Sequence, residues 1–249
     1  MKITAHCLVK NEEKFIWYAV NSVIDFVDEI LVWDNSSTDN TKSVIHLIAS
    51  SKIKFAEVPG PVAKVRQKML DQTRADWLFI LDGDEVWPEA TMSNVKCQML
   101  NVKNTKDVIV VPNYLLIGDL FHYQEKAAGR YRIAGRVGHY NIRAVRVTPG
   151  LHIEGVYPNE AYVTREGIKV QDLPEDRILF IDQPYLHASF LKKPKYEFGI
   201  PFPKDFYYPE VFFKDRPGIV PSPWQPMSAG YKFRAFFETP LKKIRRRIR

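Results

Sequence analysis

The sequence predicts an α/β protein in which a mostly parallel sheet is flanked by helices. Three observations predict this class. Short apolar segments alternate with segments of helical periodicity over the first hundred residues. The helical segments are about 10–15 residues long, which is the length that connects parallel strands in βαβ units. Acidic side chains directly follow two of the apolar segments, and open α/β sheets bind ligands at the carboxyl ends of their strands.

The first half of the chain contains the regular elements. The predicted strands, in chain order, are 3–9, 29–33, 52–58, 77–81 and 107–112. Four helices are predicted. Asn11 is expected to cap the first, which presents an apolar face from Phe15 to Val27. The other three lie at about 41–50, 62–74 and 89–101. The strands are nearly continuous apolar runs, as expected for strands that are buried on both faces.

The second half is less regular. Residues 140–147 and 177–181 are predicted strands, and the segments around them are rich in loops. We expect one domain over 1–200, with a regular half at 1–112 and an irregular half at 113–200. Residues 201–249 form a Pro- and aromatic-rich segment followed by a basic tail.

Length and composition limit the possible classes of protein. The chain has 249 residues, 45% of them hydrophobic, which suffices for one large core or two small ones. The two cysteines lack metal-ligand spacing, and together with the lack of a signal peptide they indicate a reducing, cytoplasmic location. No apolar run approaches the length of about 18 residues that a membrane-spanning helix needs.

The net charge of +7 belongs to one end of the chain. Residues 231–249 hold eight of the 36 basic side chains and one of the 29 acidic ones. The remainder is therefore electrically balanced, and nucleic acid is an unlikely partner for the body of the protein.

An acidic corner follows the strand 77–81. Asp82 and Asp84 flank Gly83, which is compatible either with a hairpin turn or with a metal site. Residues two apart in extended chain point to the same side, and carboxylate oxygens suit Mg²⁺ or Mn²⁺. The glycine-rich motifs that bind nucleotide phosphates are missing from the sequence, so a metal would have to offset phosphate charge. Asp34 occupies the equivalent place after the strand 29–33.

Three segments resemble a known family. "LVKNEEKFI", "VWDNSSTDNT" and "DWLFILDGDE" occur in the order and at the spacings of family 2 glycosyltransferases of the GT-A (Rossmann-like) fold. The resemblance covers about residues 3–87, with weaker similarity to about residue 195. It implies a nucleotide-sugar donor, a divalent metal and transfer that commonly proceeds with inversion. It makes 1–112 the nucleotide-sugar-binding half of the catalytic domain and 113–200 the acceptor half.

The resemblance also implies roles for residues of the first half. Val9, Glu12 and Asp34 match positions that contact the nucleoside. Arg66 matches an arginine near the donor. Asp82 and Asp84 match the Asp-x-Asp motif, which implies that both are metal ligands. Asp84 would contact the metal directly, and Asp82 would also contact the donor.

Two later segments resemble the family more weakly. "IEGVYPNEAY" at 153–162 is similar to a stretch whose last glutamate serves as the catalytic base, and that glutamate corresponds to Glu160. Glu154 is the alternative base, because the spacing differs by one residue. "PYLHASF" at 184–190 is similar to a late histidine motif, which implies that His187 is a further metal ligand.

The basic tail, residues 231–249, has the pattern of a helix that lies on an anionic membrane. Its apolar side chains follow helical spacing with basic residues between them: Phe233, Phe236, Phe237, Leu241, Ile244 and Ile248. Pro240 should interrupt one continuous helix or begin a second one. A disordered tail or a nucleic-acid-binding tail remains an alternative.

These observations together predict a metal-dependent enzyme. We expect it to move a hexose-type sugar from a UDP-linked donor to a membrane-proximal or lipid-linked glycan acceptor, with Mn²⁺ or Mg²⁺ as cofactor. The expected location is the inner face of the cytoplasmic membrane, as in polysaccharide or glycolipid biosynthesis. A sugar nucleotidyltransferase and a non-enzymatic membrane or nucleic-acid adaptor remain the alternatives.

Overall fold

A mixed sheet runs through the protein, and helices pack on its faces. The computed structural model describes residues 1–102 and 105–247. The strands are β1 (Ile3–Val9), β2 (Glu29–Asp34), β3 (Ile53–Glu57), β4 (Trp77–Ile80), β5 (Glu85–Val86), β6 (Val108–Ile117), β7 (Asp119–Tyr123), β8 (Tyr131–Ile133), β9 (Arg136–Gly138), β10 (Tyr140–Arg146), β11 (His152–Glu154), β12 (Ala161–Val163), β13 (Ile178–Phe180), β14 (Tyr185–His187) and β15 (Ile200–Pro201). The helices are α1 (Ile16–Val23), α2 (Thr41–His46), α3 (Val62–Gln72), α4 (Glu89–Asn101), α5 (Ser189–Lys192) and α6 (Ala229–Arg247). The predicted α/β class is confirmed.

The strand order puts the first-half strands side by side. The main path is β15-β7-β6-β10-β4-β1-β2-β3, with β13 and β14 joined to β6 and β5 joined to β14. β1 is parallel to β2 and to β4, and β2 is parallel to β3. β10 from the second half runs antiparallel between β4 and β6. One sheet therefore carries residues of both halves.

The carboxyl ends of the parallel strands meet at one edge of this sheet. Val9 pairs in register with Asp34, and Asp34 pairs with Glu57. β4 ends earlier, where Ile80 pairs with His6 three residues before the end of β1, and the chain then turns through Asp82. Asp34, the last residue of β2, and Asp82, in the loop after β4, thus lie at the same edge, as strand ends in an α/β sheet require.

The sheet is buried on both faces, which explains the apolar runs. Trp77, Phe79 and Leu81 pack into the core that contains α1, whereas Leu78 and Ile80 pack into a second core on the opposite face. Alternate side chains of a strand point to opposite faces, so both sets must be apolar. The carboxylates begin where this burial ends.

Three local predictions are wrong or incomplete. Asn11 does not cap α1: it adopts a left-handed conformation with φ 58°, and its side-chain oxygen accepts a hydrogen bond from the Thr38 backbone N–H at 2.8 Å. The loop therefore continues to Ile16 before the helix begins. The second helix ends at His46 rather than near residue 50, and β6 extends to Ile117.

The prediction that Pro240 interrupts the C-terminal helix is also wrong. α6 continues through Pro240 as one helix. The turn before it is held by Thr239, whose hydroxyl accepts from the Phe198 backbone N–H at 2.9 Å and donates to the Ala235 carbonyl. Proline removes one backbone hydrogen bond from a helix, and the Thr239 contacts anchor the turn directly before it. Ile248 and Arg249 of the predicted tail lie outside the described residues.

The predicted domain division remains a prediction. β6 spans the boundary at 112, and β15 spans the one at 200. The segment after residue 201 packs on the body, since Phe212 belongs to the core of α1 and the Tyr18 hydroxyl donates to the Pro221 carbonyl at 2.9 Å.

Candidate active site

The loop after β4 lies directly against the end of β1. A Cβ atom at Gly83 would be 2.9 Å from Val9 Cγ1 and 2.8 Å from Glu12 Cγ, which is closer than side-chain atoms pack. Only glycine permits this approach. It brings the acidic loop, residues 82–85, together with Val9 and Glu12 of the predicted nucleoside site.

A continuous network of ion pairs occupies this corner. It joins five acids, three permanent cations and one histidine: Glu12, Asp82, Asp84, Glu85, Glu160, Arg66, Arg143, Lys192 and His187. Carboxylates therefore outnumber the permanent cations within the network. Such an excess of buried negative charge is unfavourable unless it is neutralised by protons or by a further cation.

Lys192 of α5 connects the first part of this network. Its Nζ lies 2.8 Å from Asp84 Oδ2 and also contacts Glu12. Burial and the Asp84 charge raise the pKa of Glu12 to about 8, although Lys192 opposes the rise. For Asp84, burial favours the neutral form, but His187 and Lys192 outweigh it and hold the pKa of Asp84 below its usual range.

Arg143 of β10 connects the second part. Its Nη2 lies 3.0 Å from Asp82 Oδ2 and contacts Glu85, while its Nε donates to the Tyr185 hydroxyl at 3.0 Å. Burial raises the pKa of Glu85 to about 8 against the pull of Arg143. Burial also works against ionisation of Asp82, but Arg143 and Arg66 together lower the pKa of Asp82.

The residues of this corner fit a divalent cation. Asp82, Glu85 and His187 each offer a ligand atom, and these three atoms lie within 4.8 Å of one another. β14 pairs with β5 so that His187 is directly opposite Glu85, which fixes the histidine at this place. Two carboxylates and an imidazole are a donor set that Mn²⁺ accepts, and the excess of carboxylates favours a bound cation. Asp84 lies beside the group, with its Oδ1 3.4 Å from His187 Nε2.

Asp34 lies apart from the ion pairs, at the end of β2. It is fully buried, and its Oδ1 accepts a hydrogen bond from the Ser37 backbone N–H at 2.9 Å. Its Oδ2 is buried and has no hydrogen-bond partner in the described part of the chain. An unpaired buried carboxylate oxygen is costly, so this atom is available to a ligand donor such as a nucleoside base.

The two candidate bases lie in different surroundings. Glu160 is largely buried, its Oε1 is 3.5 Å from Arg66 Nε, and Arg66 Nη2 is 3.8 Å from Asp82 Oδ1. Glu154 is exposed and pairs with His152 at 3.0 Å. Arg66 therefore joins Glu160, and not Glu154, to the acidic corner.

A cavity of about 520 Å³ opens beside this corner. Asp82, Arg143, His187 and Glu160 line one part of it, and Ile153 rather than its neighbour Glu154 belongs to the lining. The Glu160 Oε2 atom is buried without a hydrogen-bond partner among the described residues. A hydroxyl group in the cavity could supply that partner.

Three residues of the network were not predicted from the sequence: Glu85, Arg143 and Lys192. Glu85 follows Asp84 directly and could have been included with the acidic corner. For the arginines between residues 130 and 146 the sequence favours a solvated strand face over contact with a donor phosphate or an anionic acceptor, and for Arg143 the solvated face is wrong because the residue is 5% exposed. The pairing of β10 with β6 shifts between Ile142 and Ala144, so Arg143 is the extra residue of a bulge, and bulges redirect side chains. Lys192 is 180 residues from Glu12, and no local pattern indicates their contact.

Comparison with known proteins supports one family. Residues 7–142 match the family model described as Glycosyl transferase family 2. The SPbeta prophage-derived glycosyltransferase SunS of Bacillus subtilis (strain 168) is 29% identical over 94 residues, which are 37% of this chain and 22% of SunS. An uncharacterized glycosyltransferase of Rickettsia typhi is 36% identical over 86 residues, which are 34% of this chain and 28% of that protein. The matches thus span less than a third of the length of these relatives.

Solved structures of similar fold cover more of the chain. S. aureus TarS 1-349 superimposes with a TM-score of 0.53 at 18% identity, over 76% of this chain and 61% of TarS 1-349. The complex of TarS 1-349 with UDP-GlcNAc gives a TM-score of 0.52 at 16% identity, over 76% and 59% of the two chains. At such identities the likeness concerns the fold, and it confirms the predicted GT-A arrangement of sheet and helices.

Proposed function

Because the chain belongs to glycosyl transferase family 2, we propose that it transfers a hexose-type sugar from a nucleoside-diphosphate donor to a hydroxyl acceptor, with inversion at the anomeric carbon. The observation that carries this proposal is the bridge made by Arg66 between Glu160 and Asp82, at 3.5 and 3.8 Å. It joins a candidate base to the candidate site for the donor phosphates. An inverting transferase needs both groups in one site, with the base on one face of the anomeric carbon and the leaving diphosphate on the opposite face.

The proposed reaction is a single displacement. The acceptor oxygen attacks the anomeric carbon, its proton passes to Glu160, and the bond to the diphosphate breaks with the electron pair on the leaving oxygen. General-base assistance of this kind contributes roughly 10²–10⁴-fold to the rate. Glu160 is the proposed base, and Glu154 remains the less favoured alternative because it is exposed.

Asp82, Glu85 and His187, with Asp84 beside them, are the residues that would hold Mn²⁺ or Mg²⁺, which supplies positive charge against the leaving diphosphate. Arg66 and Arg143 keep the Asp82 carboxylate ionised and oriented. Asp34 and Val9 at the neighbouring strand ends are the proposed nucleoside contacts. We propose a UDP-linked donor, since TarS of the same fold was crystallised with UDP-GlcNAc.

Release of UDP tests this function. We expect the purified protein to release UDP from one member of a panel of UDP-sugars when Mn²⁺ is present and to stop when a chelator is added. Asp82→Asn should lower the rate by about 100-fold, because the proposed cation site loses an anionic ligand and the positive charge opposite the leaving diphosphate would be held less firmly. Asp182→Asn, at an exposed position outside the network, is the matched control and should retain activity.

Two outcomes would contradict the proposal. A folded protein that releases UDP from no donor and does not bind UDP would favour the adaptor alternative. Pyrophosphate release from a nucleoside triphosphate and a sugar phosphate would favour the nucleotidyltransferase. Undiminished activity in chelator would exclude the metal while leaving the transferase in place.

We further propose that α6 holds the enzyme on an anionic membrane, next to a membrane-proximal or lipid-linked acceptor. One face of α6 is docked on the body: Ala235 is fully buried, and Arg246 pairs with Glu197 and Glu125. The opposite face exposes five large apolar side chains, each more than half exposed: Phe233, Phe236, Phe237, Leu241 and Ile244. Exposed cations flank them at Lys232, Lys243, Arg245 and Arg247. Apolar and basic side chains together suit the interface of an anionic bilayer.

None of the helices in residues 1–102 and 105–247 combines the length and the apolar character of a membrane-crossing segment. The association proposed for α6 is with the bilayer surface, and the inner face of the cytoplasmic membrane remains the predicted location.

Vesicle flotation tests the membrane contact. We expect the protein to float with vesicles that contain phosphatidylserine and much less with vesicles of phosphatidylcholine alone. Phe233→Ser with Phe236→Ser should weaken partitioning by about 30-fold, because two aromatic side chains no longer leave water. Phe213→Ser removes an equally exposed ring outside α6 and should have no effect. Equal flotation on both kinds of vesicle would contradict an electrostatic contribution.

A further inference from the structure

The cavity beside Glu160 has a second wall that the proposed reaction does not use. Tyr131 and Arg132 of β8 and Lys169 of the segment after β12 form part of this wall. Glu160, the proposed base that takes the acceptor's proton, lines the same cavity, whereas Asp82 and His187 are proposed to hold the cation at the donor phosphates. The wall therefore faces the place of an acceptor.

The cations of this cavity fall into two groups. Arg66 and Arg143 also line it, but both are ion-paired with carboxylates of the network. Arg132 and Lys169 are exposed, and neither forms an ion pair with any residue in the described ranges 1–102 and 105–247. Two cations without carboxylate partners at one wall attract an anionic ligand.

The wall also offers contacts for a sugar ring. The Tyr131 side chain is 65% exposed although it lies at the cavity, so its ring is free to receive a flat apolar surface. The Tyr162 hydroxyl is buried, and it lacks a hydrogen-bond partner within the described part of the chain, as does Glu160 Oε2. Both atoms belong to residues that line the cavity. Unpaired polar atoms beside an aromatic face are the elements that bind carbohydrate hydroxyls and rings.

We infer that the acceptor is a phosphorylated carbohydrate: a sugar or polyol whose anionic group lies against Arg132 and Lys169 while its reacting hydroxyl reaches Glu160. This inference rests on the proposed transferase function and names the acceptor class. The donor diphosphate is also anionic and could contact the same two cations. The experiment therefore has to distinguish an acceptor phosphate from the donor diphosphate as the group that Arg132 and Lys169 bind.

Titration calorimetry with matched probe pairs distinguishes an acceptor phosphate from the donor diphosphate. Glucose 6-phosphate is compared with glucose, and glycerol 3-phosphate with glycerol, each titrated into the protein saturated with UDP and Mn²⁺. We expect the phosphorylated member to bind roughly tenfold more tightly, the ratio that two partly exposed charge contacts supply. This preference should shrink as ionic strength rises, because exposed charges are screened.

Arg132→Gln with Lys169→Gln should reduce the preference to within about twofold while the affinity for UDP stays unchanged. Arg130→Gln with Arg165→Gln is the matched control: it removes the same charge from neighbouring exposed positions that do not line the cavity, and it should leave the preference intact. Thermal unfolding of both variants checks that they fold alike.

The outcomes are distinguishable. Phosphorylated probes that bind no more tightly than the neutral ones overturn the inference, and normal UDP binding would then leave the proposed function standing. A loss of UDP affinity in the Arg132 and Lys169 variant assigns the two cations to the donor and also overturns it. Failure of the wild-type protein to bind UDP removes the proposed function and the inference with it.

Discussion

Replacing Glu160 with glutamine is expected to lower the rate of sugar transfer by roughly 10²–10⁴-fold, the contribution of a general base. Glutamine has the same shape and can still contact Arg66, but it cannot accept the acceptor's proton. The affinity for UDP and Mn²⁺ should be unchanged, because the carboxylates of the acidic corner remain. The loss should therefore fall on kcat, and it is measured by initial rates at saturating donor.

The control for this prediction is Glu154→Gln. Glu154 is exposed and pairs with His152, so its substitution should change the rate less than about threefold, the scale of a surface ion pair. The two kcat values, measured at saturating donor, separate a base beside the acidic corner from a surface carboxylate. A large loss in Glu154→Gln with normal rates in Glu160→Gln would reverse the assignment.

Replacing Arg143 with leucine is expected to lower the free energy of unfolding by about 3–5 kcal/mol, the cost of leaving buried carboxylates without their cation. Arg143 contacts Asp82 and Glu85 and donates to Tyr185, which stacks on Trp87 with ring centroids 4.2 Å apart. Urea denaturation of the metal-free protein measures the loss. Burial raises the pKa of Glu85 to about 8 although Arg143 opposes the rise, so the loss of stability should be larger above pH 8, where Glu85 is ionised and would lack its cation.

Two further variants make the Arg143 prediction specific. Glu85→Gln in the Arg143→Leu background should restore part of the stability, because the uncompensated charge is gone, and the double-mutant cycle gives the coupling. Arg177→Leu removes an arginine from a pair whose guanidinium side is 41% exposed, and it should cost no more than about 1 kcal/mol. Equal losses for Arg143→Leu and Arg177→Leu would show that the buried pair has no special role.

Local sequence patterns were sufficient to predict much of the fold. β1 covers the predicted residues 3–9 and α4 the predicted 89–101, since apolar runs and helical periodicity report burial directly. The positions of Asp34 and Asp82 at one edge of the sheet could also be predicted, because parallel strands in one sheet share an edge. The prediction that Asn11 caps α1 failed because a polar residue before a helix can serve a loop equally well.

The α/β sheet, the acidic edge at the ends of β2 and β4 and the basic amphipathic tail could be predicted from the sequence alone, because each depends on residues that are close together in the chain. Which charges meet at that edge depends on the tertiary structure. Arg143 is turned inward by a bulge in β10, Lys192 arrives from α5, and His187 is aligned with Glu85 by the pairing of β14 with β5. These contacts join residues that are far apart in the chain, and the free energy that selects them is the shared desolvation and pairing of buried charges, which no short stretch of sequence contains.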